Sequence, residues 1–193
     1  MGAGYHRPPK EGKVKRIHVT VEGQTPLLQH RYAIAGQDEP SSKRMGVPEW
    51  KAEGEKALYR DEAGNIYQPA EHFERAFAEA GKQFKMAGKR GATWSKLLSS
   101  TLEVQPFAIP HEITKYEIDA RPVVIQKSRI VRYRPRFDAW RLSFDIIIAD
   151  EQVPVTVVRQ VVDYAGTYVG IGDYRPNKGG KFGKFAVTHW EEA

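Results

Sequence analysis

The run GIGDYRPNKGGKFGKF, residues 170–185, combines three residue types that together suit a polyanion. Gly170, Gly172, Gly179, Gly180 and Gly183 allow close backbone approach or a positive φ. Arg175, Lys178, Lys181 and Lys184 carry charge for phosphates, and Tyr174, Phe182 and Phe185 carry rings for bases. It is no Walker loop, because no Gly-Lys-Ser/Thr follows the glycines. "GIGDYR" opens like a dinucleotide fingerprint, but it follows a helical pattern and not a strand. Phosphate contact plus base stacking is the chemistry that fits, through Gly172, Tyr174, Arg175, Lys178, Gly179, Gly180, Lys181 and Phe182. The competing reading is a plain connector between helix and strand.

Two further cationic groups share that chemistry. VIQKSRIVRYRPR places Lys127, Arg129, Arg132, Tyr133, Arg134 and Arg136 on one run, with no acid between Asp119 and Asp138. Arginine suits phosphate because its planar fork donates two bonds at once. The alternative is a solvated strand end whose charges deter edge pairing. Lys82, Lys85, Lys89 and Arg90 gather where a helix ends. The helix dipole accounts for Lys82 and Lys85 there, but not for the cations beyond.

Other chemistries find less support. The chain has 193 residues and no cysteine, which excludes disulfides, thiolate zinc sites and cysteine nucleophiles. The six histidines show no metal-ligand spacing on a helix and no Ser/His/Asp pattern. Asp38 and Asp173 are the acids through which a metal-dependent nuclease would act, as a minor alternative. No cofactor is expected. The formal charge of +6 favours a polyanionic partner modestly. No apolar run approaches a membrane span, and no charged-then-apolar leader opens the chain, so a cytoplasmic protein without membrane contact is expected.

The elements that must position these groups follow from periodicity. Residues 1–13 read as a flexible basic tail, and residues 14–193 as a single domain. Residues 14–23 alternate as a first strand with Ile17, Val19 and Val21 inward. Residues 36–58 read as an exposed insertion. Ala63-Gly64-Asn65 marks a small hairpin. Pro69 opens a helix over 70–86, with Phe73, Ala76, Phe77, Ala80 and Phe84 on one face. A helical turn and a strand follow. Residues 121–133 and 140–148 then pair through a turn at RPRFD, with Trp140, Leu142, Phe144, Ile146 and Ile148 on one face. Pro154 starts a second helix with Val158, Val161, Val162, Ala165 and Tyr168 inward. FAVTHW closes the chain as a strand. This order predicts an α+β fold: a ferredoxin-like (RRM-like) βαββαβ antiparallel sheet with an insertion after the first strand. RNA-binding modules of that plan stack bases on the open sheet face.

AGNIYQPAEHFERAFAEAG, running from a turn into a helix, and the late GIGDYRPNKGGKFGKFAV together resemble the RAMP superfamily (repeat-associated mysterious proteins). The likeness is closest to backbone subunits of CRISPR effector complexes. Gly64, Tyr67, Pro69 and Ala70 match the family's first motif; Gly170, Gly172, Gly179, Gly180 and Gly183 match its RNA-contacting glycine loop. TPLLQHR also resembles uncharacterised phage and mobile-element proteins. The resemblance implies a non-enzymatic protein that binds single-stranded RNA without sequence preference. It also implies self-association in repeated copies, as a filament or multi-subunit ribonucleoprotein. A phage-type single-stranded DNA-binding or annealing protein would use the same surfaces.

Overall fold

The computed structural model describes residues 14–32, 50–125 and 128–193, with the side chains of residues 50, 123–125 and 128–130 also left aside. The expected tail, Asp38, Lys127 and the side chain of Arg129 therefore lie outside the described residues.

Alternation in β1 (Lys15–Gly23) buries Ile17, Val19 and Val21 completely, as its pattern predicts. β1 sits between β8 (Arg141–Ile148) and β9 (Phe185–Glu192), and β4 (Leu102–Gln105) lies beyond β8. All three pairings are antiparallel. β1 and β4 are therefore parallel with β8 between them, as are β8 and β9 with β1 between. The helices α2 (Ala70–Ala80) and α4 (Val155–Tyr164) lie in these two connections. Their buried faces join the inward sheet residues in one hydrophobic cluster. Phe73 is the hub, with ring centroids 4.5 Å from Phe144 and 5.6 Å from Phe185. Truncating such a ring to alanine costs about 3–5 kcal/mol.

A second sheet of β2 (Leu27–Leu28), β7 (Ser128–Phe137) and β6 (Glu117–Ile125) flanks the first. Here the expected hairpin is redrawn. Residues 121–133 do not form one arm; β6 and β7 pair with each other, with Ile125 opposite Ser128, and RPRF stays in the strand. Pro135 reads as a turn signal but is tolerated. Its carbonyl accepts Gln29 N–H at 3.1 Å on the β2 side, so its missing N–H falls on that side too and costs no β6 bond.

Three smaller corrections share a tertiary cause. The last part of the 36–58 insertion is the helix α1 (Trp50–Lys56), followed by buried Ala57 and Leu58, because α1 packs on β6 and β7. The helix α2 ends at Ala80 and tightens into a 3-10 turn at Gly81–Gln83, where Ser95 of α3 (Ser95–Thr101) lies against Gly81. Tyr168 points outward, 60% exposed, because a π turn over Ala165–Val169 shifts the helical register and buries Val169 instead.

A polar knot joins these layers. Gln29 Nε2 donates to the Tyr67 carbonyl at 2.9 Å and lies 3.2 Å from both Gln68 Oε1 and His111 Nε2. Gln68 in turn contacts His72 Nδ1, at the start of α2. Burial pushes both His72 and His111 down to about 4. The folded state thus binds these protons less readily than the unfolded chain. Their contribution is complete above about pH 6.5 and is lost as pH falls toward 4. The full window is worth roughly 3 kcal/mol per histidine. Urea titrations at neutral and acid pH are expected to show this loss, and His72→Gln with His111→Gln to flatten it.

Candidate nucleic-acid interface

The glycine loop is built on itself. Ile171 N–H donates to the Gly183 carbonyl at 3.0 Å, Phe182 N–H to Tyr174 at 3.0 Å and Gly180 N–H to Arg175 at 3.1 Å. Two more bonds fasten it to the segment after β1: Asp173 N–H to Leu28 O at 2.9 Å and Gly183 N–H to Pro26 O at 2.8 Å. A Cβ on Gly180 would lie 1.6 Å from the Tyr174 carbonyl oxygen, and one on Gly183 1.9 Å from that of Ile171. Gly172 likewise backs onto Leu28 O. These glycines serve approach between parts of this chain. Gly179 differs: its φ is +77° and open space surrounds it. The loop is anchored in the core at both ends, since Ile171 and Phe185 are core residues.

The loop's rings are engaged as well. Phe182 has the Arg121 guanidinium 4.5 Å from its centroid, and Tyr174 has that of Arg134 at 5.4 Å. Tyr174 also donates its hydroxyl to Pro122 O at 3.3 Å. Arg175 donates to the Gly172 carbonyl at 2.8 Å and meets no carboxylate among the described residues. Lys178 and Lys181 are exposed.

The arginine strand is not free of acids. Arg132 pairs with Glu53 at 3.3 Å, Arg134 with Asp173 at 2.6 Å, and Arg136 with Glu117, Asp119 and Asp138 at 3.2, 3.3 and 2.8 Å. Register supplies some of these acids, with Glu117 opposite Arg136 and Asp119 opposite Arg134 on β6. Packing of α1 and of the glycine loop supplies the others. The Arg134 side chain is only 7% exposed. Tyr133 is half-buried. Burial tends to raise the Asp173 carboxyl, but the His30 hydrogen bond and the Arg134 charge outweigh it and hold the group below the ordinary carboxylate range. That carboxylate faces Arg134 and His30.

At the end of α2, Lys82 pairs with Glu79 at 2.5 Å. Lys85, Lys89 and Arg90 are exposed on the loop beyond, with no carboxylate partner among the described residues.

Folding creates one convergence that no run of sequence displays. Tyr59 packs its ring edge on His72 at 5.5 Å, beside the first turn of α2. The positive fields of Arg31 and Arg75 act on Tyr59, and those of Arg175 and Arg75 act on His72. Arg31 comes from the segment after β2, Arg75 from α2 and Arg175 from the glycine loop. Glu71 neutralises Arg75 in part, at 3.0 Å, but both are exposed and such a pair is weak. No side chain caps α2 at Pro69, so its amino end adds charge of the same sign. Sequence reading singled out Arg175 alone; only the N-terminal position of Pro69 hinted at the rest.

The open face of the β4-β8-β1-β9 sheet is built otherwise. His18 and Arg16 meet Asp145 at 2.8 and 2.6 Å, and Arg141 meets Glu22. The His18 hydrogen bond, then Arg16, hold Asp145 below its ordinary range against its partial burial. The outward positions of β1 and β8 carry no Phe, Tyr or Trp; the ring there is His18, 5.8 Å from His189 of β9.

No family model matches this sequence, and no curated protein matches it. Among solved structures, a chain in the cryo-EM structure of the type III-B Cmr-beta bound to cognate target RNA is similar, with a TM-score of 0.55 and 11% identity. The alignment covers 93% of this chain, which spans 60% of that chain's length. The likeness is one of fold.

Gly180→Val is expected to lower the melting temperature sharply, since its Cβ meets backbone. Gly179→Ala should cost only about 1 kcal/mol, from its positive φ. Thermal denaturation of the two variants separates self-packing from conformational freedom.

Proposed function

We propose that this chain is a non-enzymatic single-strand nucleic-acid-binding protein, with RNA the preferred strand. Residues 14–193 would act as one RAMP-like domain. The strand order β4-β8-β1-β9, with α2 and α4 in its two connections, agrees with the ferredoxin-like plan. The observation that carries the reading is that Arg31 and Arg175 lie on segments bonded to each other and have no carboxylate partner among the described residues, with Arg75 of α2 acting on the same Tyr59 and His72 ring pair. Guanidinium groups on separate segments suit successive phosphates. The fold likeness to a chain in an RNA-bound assembly supports the same direction. In this reading the protein works as a backbone-type subunit, in repeated copies along one strand.

The arginine strand becomes a structural element here. Arg132, Arg134 and Arg136 would have to surrender carboxylates before meeting phosphate. Lys178 and Lys181 add exposed charge on the glycine loop, and Lys85, Lys89 and Arg90 add it beyond the other end of α2.

Fluorescence anisotropy with labelled single strands tests this. Affinity is expected to fall steeply with salt and to favour RNA over DNA, through the 2′-hydroxyl. Converting Arg31, Arg75 and Arg175 to alanine should weaken binding and reduce the salt slope by about 2, at roughly 0.7 per phosphate on single strands. Arg132→Ala should leave the slope unchanged. A wild-type slope in the triple variant would refute the site, and equal affinity for DNA would favour a single-stranded DNA-binding role.

A further inference from the structure

We infer that Tyr32 is a stacking platform for one unpaired base, with purines held above pyrimidines; the inference rests on the single-strand reading above. Tyr32 is 85% exposed, yet its ring lies parallel to His30, 5.7 Å between centroids and 6° between planes. The imidazole thus runs alongside the ring with a large offset, and most of the ring surface is open. An exposed tyrosine held only by its backbone would be free to rotate away.

His30 is itself held from beneath. Its Nδ1 lies 3.4 Å from Asp173 Oδ2 and 3.4 Å from Arg134 Nε. The buried Arg134 pairs with the partly exposed Asp173, and the Tyr174 ring centroid lies 5.4 Å from that guanidinium. The arrangement is a connected series of planar groups, Tyr32, His30, Arg134 and Tyr174, whose last visible member faces solvent. The glycine loop supplies two of its parts, Asp173 and Tyr174.

The neighbouring charge identifies the ligand class. Arg31 is adjacent in the chain and has no carboxylate partner among the described residues. A base on Tyr32 would bring the strand to the residue next to Arg31. A flat ring beside an arginine without a carboxylate partner is the chemistry of single-strand binding. The preference for purines follows from their larger stacking surface.

The test uses the full chain with single-stranded RNA of adenine only, of uracil only, and a third strand of the same length carrying abasic sites. Wild type is expected to bind the adenine strand more tightly than the uracil strand. Tyr32→Ala should lose about tenfold on the adenine strand and less on uracil. Its salt slope and its affinity for the abasic strand should match wild type. Tyr32→Phe should bind like wild type throughout. Wild-type affinity of Tyr32→Ala for the adenine strand overturns the platform while leaving the binding reading intact. An equal loss on the abasic strand also overturns it, by showing an effect unrelated to a base. If wild type binds none of the three strands, both readings fall.

Discussion

The ion pair of Arg134 with Asp173 is the constraint on which the cationic end of this molecule depends. It joins the middle of β7 to the turn of the glycine loop at 2.6 Å, with the arginine almost wholly buried. Taking two charges out of water is costly, and their attraction offsets this only when other groups complete the arrangement. Here His30 and the Tyr174 ring flank the pair, while Arg134 Nη1 has no hydrogen-bond partner. Removing one partner would strand the other, at a cost of about 3–5 kcal/mol. The pair therefore sets where His30, Tyr174 and the neighbouring Arg175 can stand.

The same physics divides the basic residues into two populations. Cations on β7 face carboxylates from β6, α1 and the glycine loop, so their charge is used inside the fold. Cations on Arg31, Arg175 and the loop after α2 have no such neighbours among the described residues. Among the described residues, the positive charge without carboxylate partners thus lies mostly where segments end and turn. An incoming polyanion would feel that charge at long range and displace little to reach it.

The glycine loop links these populations. Its glycines admit its own carbonyls and those of the segment after β1, which makes a compact turn out of residues that otherwise resemble a flexible linker. That compactness is what allows a surface arginine at 175 to hold a fixed place beside α2. A looser loop with the same composition would carry the same charge without a geometry.

Much of the scaffold was legible in residue order. The alternation of Ile17, Val19 and Val21, the α2 face of Phe73, Ala76 and Phe77, the outset of α2 and α4 at proline, and the alternation of Leu142, Phe144, Ile146 and Ile148 in β8 are local patterns with one low-energy reading. Pro135 and Tyr168 were misread because a neighbouring segment and a π turn overrode the local signal. The site was less legible for a different reason. Charge along a sequence reveals which residues are cationic, but an ion pair depends on which acids arrive from elsewhere. Asp119, Glu53 and Asp173 reach the arginine strand through register and packing, and Arg31, Arg75 and Arg175 meet through three separate turns of the chain. Neighbourhood in space is a property of the folded molecule, and it is the fold that decided which of these charges remain for a partner.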